Sequence, residues 1–313
     1  MKKLLVTPAP HSTKQITTNA MMYVMLLALL PTAISGVVVY GLKALGLIII
    51  STVTGYFCDT LLTYWKTNKF AFADLSGAVT GFMIALILPV SVPYYIPAIG
   101  SFVAVVVVKF LFGGIGKNIF NPAGAARVIL GLMFTALSLS LFKGIALEGN
   151  VSSPLYYYLS NDYSTITIRS LFFGTAPGAI GTASIFCILV CGIALMCYKI
   201  TDWTIPLGAI VTFTITAWVG KGAVSIIPYL FSGSFMFVAM FMLTDPTTSP
   251  NTVWGKLFSG LIFGAIAGLF RIYGVLGETG VFVALLAVNL ISPLLDKIVA
   301  PRPRGLNRGY YYE

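Results

Sequence analysis

The chain is predicted to be an all-α, multi-spanning membrane protein with about ten transmembrane helices. Three observations carry this. Of 313 residues, 58% are hydrophobic and 9% are charged. A soluble domain carries roughly a quarter charged residues. The apolar residues also fall into runs long enough to cross a bilayer, each needing about 20 residues.

Ten such segments lie near 20–41, 43–64, 75–91, 94–112, 122–142, 179–199, 203–220, 224–243, 256–273 and 279–299. The third and fourth are joined by a short turn from Pro89 to Pro93. The stretch 1–19 is polar, carries Lys2, Lys3 and Lys14, and reads as a cytoplasmic segment rather than a cleavable signal peptide. Residues 20–299 form the membrane domain, and 300–313 a basic tail that also reads as cytoplasmic.

The net charge of +10 is not a nucleic-acid signal. The basic residues sit at the ends of apolar runs, where they touch lipid headgroups and set orientation. With the N-terminus inside, the inner segments hold Lys2, Lys3, Lys14, Lys66, Lys69, Lys109, Lys117, Lys199, Lys256, Lys297, Arg302, Arg304 and Arg308. The outer segments hold only Lys43, Lys143, Arg169, Lys221 and Arg271, while Arg127 lies inside the fifth span. This bias favours both termini in the cytoplasm and hence an even number of spans.

One connection is long, about 143–178, and the orientation places it outside. It contains Ser152 and Ser153 before Pro154, then Tyr156, Tyr157 and Tyr158, which suit a membrane interface. The halves around it echo each other. Ser76 and Gly77 open one apolar run, and Ser232 and Gly233 open another that ends at Asp245 and Pro246. Each half then has one helix and a glycine-rich turn. Repeat 1 would span 20–142 and repeat 2 179–299, in inverted orientation.

Carboxylates in the membrane are costly unless paired, so each invites a functional reading. Asp59, Asp74, Asp245, Glu278 and Asp296 fall near span ends, where a solvated interface position explains any one of them. Asp74, Asp245 and Glu278 are the ion-pathway candidates, Asp74 and Asp245 because they occupy matching places in the two halves. Asn118, Asn121 and Asn289 could meet polar ligand edges or bond helix to helix. Cys58, Cys187, Cys191 and Cys197 read as ordinary membrane-core residues. With His11 the lone histidine, no metal site or imidazole base is expected. No hydrolase triad or phosphate loop is present. The residues alone admit a transporter or a redox subunit.

Three stretches carry a resemblance. They are Asp74-Leu-Ser-Gly-Ala-Val-Thr-Gly81, Phe112-Gly-Gly-Ile-Gly-Lys-Asn-Ile-Phe-Asn-Pro-Ala123, and Thr244-Asp-Pro-Thr-Thr-Ser-Pro250 followed by Gly255 and Lys256. Over nearly its whole length the chain resembles the D-subunit family of Rnf electron transport complexes. That family is related to the NqrB subunit of sodium-pumping NADH:quinone reductases.

The resemblance implies a ten-helix inverted-repeat fold similar to urea transporters. It also implies a prokaryotic inner-membrane protein, partnered by the A, B, C, E and G subunits. Together they would move electrons between ferredoxin and NAD, coupled to Na⁺ or H⁺ translocation, in a complex in which this chain is not catalytic alone. FMN is the implied cofactor, attached through its phosphate to a threonine in the outer loop, with room for a second flavin.

Here the sequence departs from the family pattern, because the aligned stretch reads Asn150-Val-Ser-Ser-Pro-Leu155. Two readings stand: Ser153 carries FMN in place of threonine, or the flavin is non-covalent or absent. Ser152 beside it, Asn121 and Asp245 complete the flavin-contact candidates, and Thr175 and Thr182 are alternative attachment points. Two other functions remain: a urea-transporter-like small-solute channel, and a purely structural assembly role.

Overall fold

In hydrocarbon, backbone N–H and C=O groups find no water, so a chain this apolar must pair them within helices. The computed structural model describes residues 18–68, 75–111, 113–114, 118–135, 167–174, 178–222 and 226–299. Among them every regular element is helical, apart from one isolated bridge between Pro89 and Ala179. In chain order these are α1 (Thr18–Tyr40), α2 (Leu42–Thr67), α3 (Ser76–Leu86), α4 (Tyr95–Phe102) and α5 (Pro122–Thr135). Then come α6 (Ile168–Phe173), a 3₁₀ turn (Ile180–Thr182), α7 (Ile185–Cys197), α8 (Thr204–Lys221) and α9 (Ile226–Phe231). The last three are α10 (Phe235–Phe237), α11 (Val253–Ile272) and α12 (Thr279–Val299). α4 continues as a π-helix, Val103–Phe110, and α10 continues as another, Val238–Met242.

Five of these helices are long and apolar enough to cross a membrane: Asn19–Tyr40, Leu42–Lys66, Thr204–Lys221, Val253–Ile272 and Thr279–Val299. Their surface is the reverse of a soluble protein's. Val38, Leu42, Phe57 and Val219 point outward, while Lys109, Arg127, Arg271, Asn121 and Asn289 are buried. The chain is a polytopic helical membrane protein.

Two expected segments are broken. The segment expected at 75–91 ends as helix at Leu86, and every residue of α3 is buried. Eleven residues rise about 16 Å, roughly half the hydrocarbon thickness. Pro89 cannot donate to a continuing helix. The Leu88 carbonyl is instead taken by the Ile180 N–H at 3.1 Å, tying the end of α3 to the 3₁₀ turn. That turn also shortens the segment expected at 179–199, whose α-helix starts only at Ile185. The segment expected at 224–243 is cut between Phe231 and Phe235, where Gly233 takes a φ of 60° that favours glycine.

Small residues bring helices close where no hydrophobic force separates helix from lipid. A Cβ on Gly81 of α3 would collide with the Ser51 carbonyl of α2. The Ser51 hydroxyl in turn donates to the Gly81 carbonyl at 2.6 Å. The α8–α11 contact works likewise, with a Cβ on Gly264 meeting the Ala209 carbonyl and the Thr212 hydroxyl. Replacing Gly81 with valine is expected to destabilise the protein by roughly 1–3 kcal/mol, as overpacking does. A thermal unfolding scan in detergent measures it, and an unchanged midpoint would show that α2 and α3 can separate without cost.

Candidate functional site

One ion pair holds the start of α3, and another holds the break between α9 and α10. Asp59, on α2, faces the start of α3. It accepts hydrogen bonds from the Gly77 N–H at 3.1 Å and the Ser76 hydroxyl at 3.2 Å. Lys109, in the π-helical segment after α4, donates to both Asp59 oxygens at 2.7 and 2.8 Å, and also to Ser76 Oγ. The first turn of a helix leaves its N–H groups unsatisfied, so a carboxylate there is doubly suited. Glycine at 77 is required, because a Cβ would strike Asp59.

The second break has the same logic with different residues. Glu278, just before α12, accepts from the Ser234 N–H at 2.9 Å. Arg271, at the end of α11, reaches Glu278 at 3.3 Å. It also donates to the Tyr229 and Ser232 carbonyls at 2.7 and 2.6 Å. Those carbonyls are released by the break, and the guanidinium collects them.

A small cavity of about 50 Å³ lies where α1, α3, the π-helical end of α4, the start of α5 and the Asp245 loop converge. Its apolar wall includes Met22, Met25, Val79 and Met83. Its polar wall is Ser76, Thr80, Lys109, Asn118, Asn121, Asp245 and Thr247. Asn121 is the N-cap of α5: its Oδ1 accepts from the Gly124 N–H at 3.1 Å, and Pro122 fills the first helical position. Its own N–H donates to Asn289 Oδ1 at 3.0 Å, and its Nδ2 to Asp245 Oδ2 at 3.2 Å. Asp245 Oδ1 accepts from the Thr247 N–H and hydroxyl at 3.1 and 3.0 Å.

Asp245 forms no ion pair among the described residues. Burial pushes its carboxyl above the usual carboxylate range, against the pull of its bonds to Thr247 and Asn121. A carboxylate with neutral partners, facing a polar cavity, can take a proton or a small cation.

Among the sequence candidates, then, the structure brings Asn121, Asn118 and Asp245 to one cavity, with Asn289 behind Asn121. Glu278 belongs to the Arg271 cluster instead. Asp59 is a buried charge rather than a solvated one. Asp296 accepts from the Asn251 and Thr252 N–H groups and the Thr252 hydroxyl, and so holds the start of α11. The Thr182 hydroxyl donates to the Ala179 carbonyl. Asp74, Ser152, Ser153 and Thr175 lie outside the described residues. Lys109 and Arg271 were expected as orientation charges at the interface, but they are 4% and 1% exposed. The signal was available: each basic residue has large apolar neighbours on both sides in sequence, Val108 and Phe110, and Phe270 and Ile272.

Apolar membrane-length helices, buried ion pairs and a polar cavity lined by a carboxylate define a polytopic helical membrane protein. The chain belongs to the NQR2, RnfD, RnfE family, whose model matches residues 5–305. It is 29% identical to the D subunit of the proton-translocating ferredoxin:NAD(+) oxidoreductase complex of Clostridium ljungdahlii, over 97% of this chain and 96% of that protein. It is also 29% identical to the D subunit of the Na(+)-translocating ferredoxin:NAD(+) oxidoreductase complex of Acetobacterium woodii, with the same coverage. With the D subunit of the ion-translocating oxidoreductase complex of Stutzerimonas stutzeri it shares 31% over 90% of each chain.

Removing one partner of a buried pair leaves an uncompensated charge, at a cost of roughly 3–5 kcal/mol. Arg271→Met is therefore expected to lower stability by about that amount in a detergent unfolding assay. Adding Glu278→Gln should restore part of the loss. If the double variant is no better than the single one, the carboxylate is not what Arg271 neutralises.

Proposed function

We propose that this chain is the D-type membrane component of an ion-translocating ferredoxin:NAD oxidoreductase complex, and that the Asp245 cavity lies on its ion path. The observation that carries the ion-path assignment is Asp245 itself, a half-buried carboxylate with neutral partners that faces a polar cavity built from both halves of the chain. The relatives named above supply the class of reaction. They include members of both Na⁺- and proton-translocating complexes, and a carboxylate with this environment suits either ion.

The finer architecture belongs to the same reading. Five spans and five inverted spans, similar to urea transporters, would make the two ion-paired breaks symmetry mates. Lys109 and Arg271 each close the fourth helix of a half, and each holds the start of the broken third helix. With both termini in the cytoplasm of a prokaryotic cell, the Asp245 cavity would open inward and the 143–178 loop outward. The partners would be the A, B, C, E and G subunits.

Flavin is the redox group of this proposal, with Ser153 as the phosphoester attachment beside Ser152. A flavin exchanges one or two electrons, and the protein supplies position and potential. The side chain of Asn121 is already committed to Gly124, Met242 and Asp245. Lys109, the one ammonium lining the cavity among the described residues, is likewise held by Asp59 and Ser76. An anionic flavin phosphate there would meet the Asp245 carboxylate and be repelled. Asn121 and Asp245 are therefore assigned to the ion path rather than to the flavin.

Asp245→Asn, in the complete complex in liposomes, is expected to lower cations moved per NADH formed by at least tenfold. An unchanged ratio would remove Asp245 from the path. Intact mass of the purified chain is expected to show one added FMN phosphoester, lost in Ser153→Ala. Chain mass without flavin, together with no flavin in the denatured supernatant, would point to the solute-channel reading.

A further inference from the structure

The two ion-paired breaks differ in one respect. Arg271 is fixed by two backbone carbonyls as well as by Glu278. If it left, three acceptors would each lose a charged donor, and each lost bond to a charged group is costly. Lys109 touches only side chains, Asp59 and Ser76. Its ammonium is a compact charge on a flexible stem, unlike a guanidinium locked in a planar fork. It also lines the Asp245 cavity, whereas the cavity wall includes neither Arg271 nor Glu278. The π-helical geometry that carries Lys109 is a form often found at functional sites.

Charge makes the difference consequential. Among the described residues, the charged groups near Lys109 are Asp59 from α2, which it contacts, and Asp245, which lines the same cavity. The other packed elements present Met22 and Met25 from α1, Ser76 from α3 and Asn121 at the start of α5. Among the described residues, then, two carboxylates face one ammonium, an excess of one negative charge. A single monovalent cation, Na⁺ or H⁺, balances the cluster, and it balances it equally well beside either carboxylate. A site at Asp59 would offer the two carboxylate oxygens and Ser76 Oγ, hard oxygen ligands suited to a small cation.

We infer that Asp59 and Ser76 form a monovalent-cation site that the Lys109 ammonium occupies at rest, and that Lys109 turns to Asp245 when a cation displaces it. The tethered ammonium is thus a built-in competitor of the translocated ion. Its departure also removes the clasp on Ser76, so occupancy of the site is linked to the start of α3. No covalent bond is made or broken, and the arriving cation brings the one positive charge that balances these three groups.

This inference rests on the ion-translocating reading above. The test uses the complete complex in liposomes, following NADH formation while Na⁺ and pH are varied. Lys109→Gln removes the competitor, so the half-saturating Na⁺ concentration is expected to fall about tenfold. In a proton-coupled complex, the alkaline limb of the pH profile is expected to move up by about one unit instead, the same tenfold factor. The double variant Asp59→Asn with Lys109→Gln leaves no unpaired charge at this break, so it guards against misfolding of the single variant. It is expected to raise half-saturating Na⁺, or to shift the pH profile down, by at least tenfold.

Wild-type cation and pH dependence in the double variant, or in an assembled Lys109→Gln complex, overturns the inference. If Asp245→Asn also transports normally, the ion-path reading falls with it. If Asp245→Asn uncouples while both Lys109 variants keep wild-type dependence, only the present inference falls.

Discussion

A charge taken into lipid must bring its neutraliser with it, and this constraint organises the membrane domain. Lys109 and Asp59 are both buried, and neither could remain ionised at that depth alone. Their pairing decides where α3 begins, because Asp59 also takes the Gly77 N–H at the first turn. The position of α3 then fixes one wall of the polar cavity. The Arg271–Glu278 pair does the same for the start of α10, using carbonyls that only a helix break makes available.

The two pairs spend their hydrogen bonds differently. Arg271 bridges two backbone carbonyls and the Glu278 carboxylate at once, so moving it breaks bonds to fixed backbone as well as to a side chain. Lys109 satisfies side-chain oxygens, which a small cation or water can satisfy as well. Fixity at one break and exchangeability at the other follow from which acceptors each cation holds. An ion-translocating protein needs both properties: a rigid frame against which a second element can change state.

Much of the fold was legible in the sequence. The limits of α1, α2, α8 and α12 lie within a few residues of their apolar runs, because lipid-facing helices need nothing beyond length and apolarity. The broken helices were harder to read. An apolar run from Ser76 to Leu88 looks the same whether it crosses the membrane or stops halfway. The stop depends on Ile180, far along the chain, capturing the Leu88 carbonyl. Ser232 and Gly233 read as the opening of an apolar run within one 224–243 segment, and composition does not show that the helix stops there.

The site was legible through Asn121 and Asp245 and misread at Lys109 and Asp59. Charges near span ends usually meet headgroups, and the positive-inside pattern absorbed Lys109 as one more orientation signal. What distinguishes it is contact across 50 residues of sequence with an acid on another helix, which no local window reveals. The same blindness applies to Asn121. As the N-cap before Pro122 it is readable locally, but its link to Asp245 spans 124 residues and joins the two halves of the chain. Local spacing tells which residues can start a helix; only the packing of helix ends tells which charges those starts must share. In a membrane that sharing is compulsory, and for that reason the polar residues of this chain gather at its helix breaks rather than along its helices.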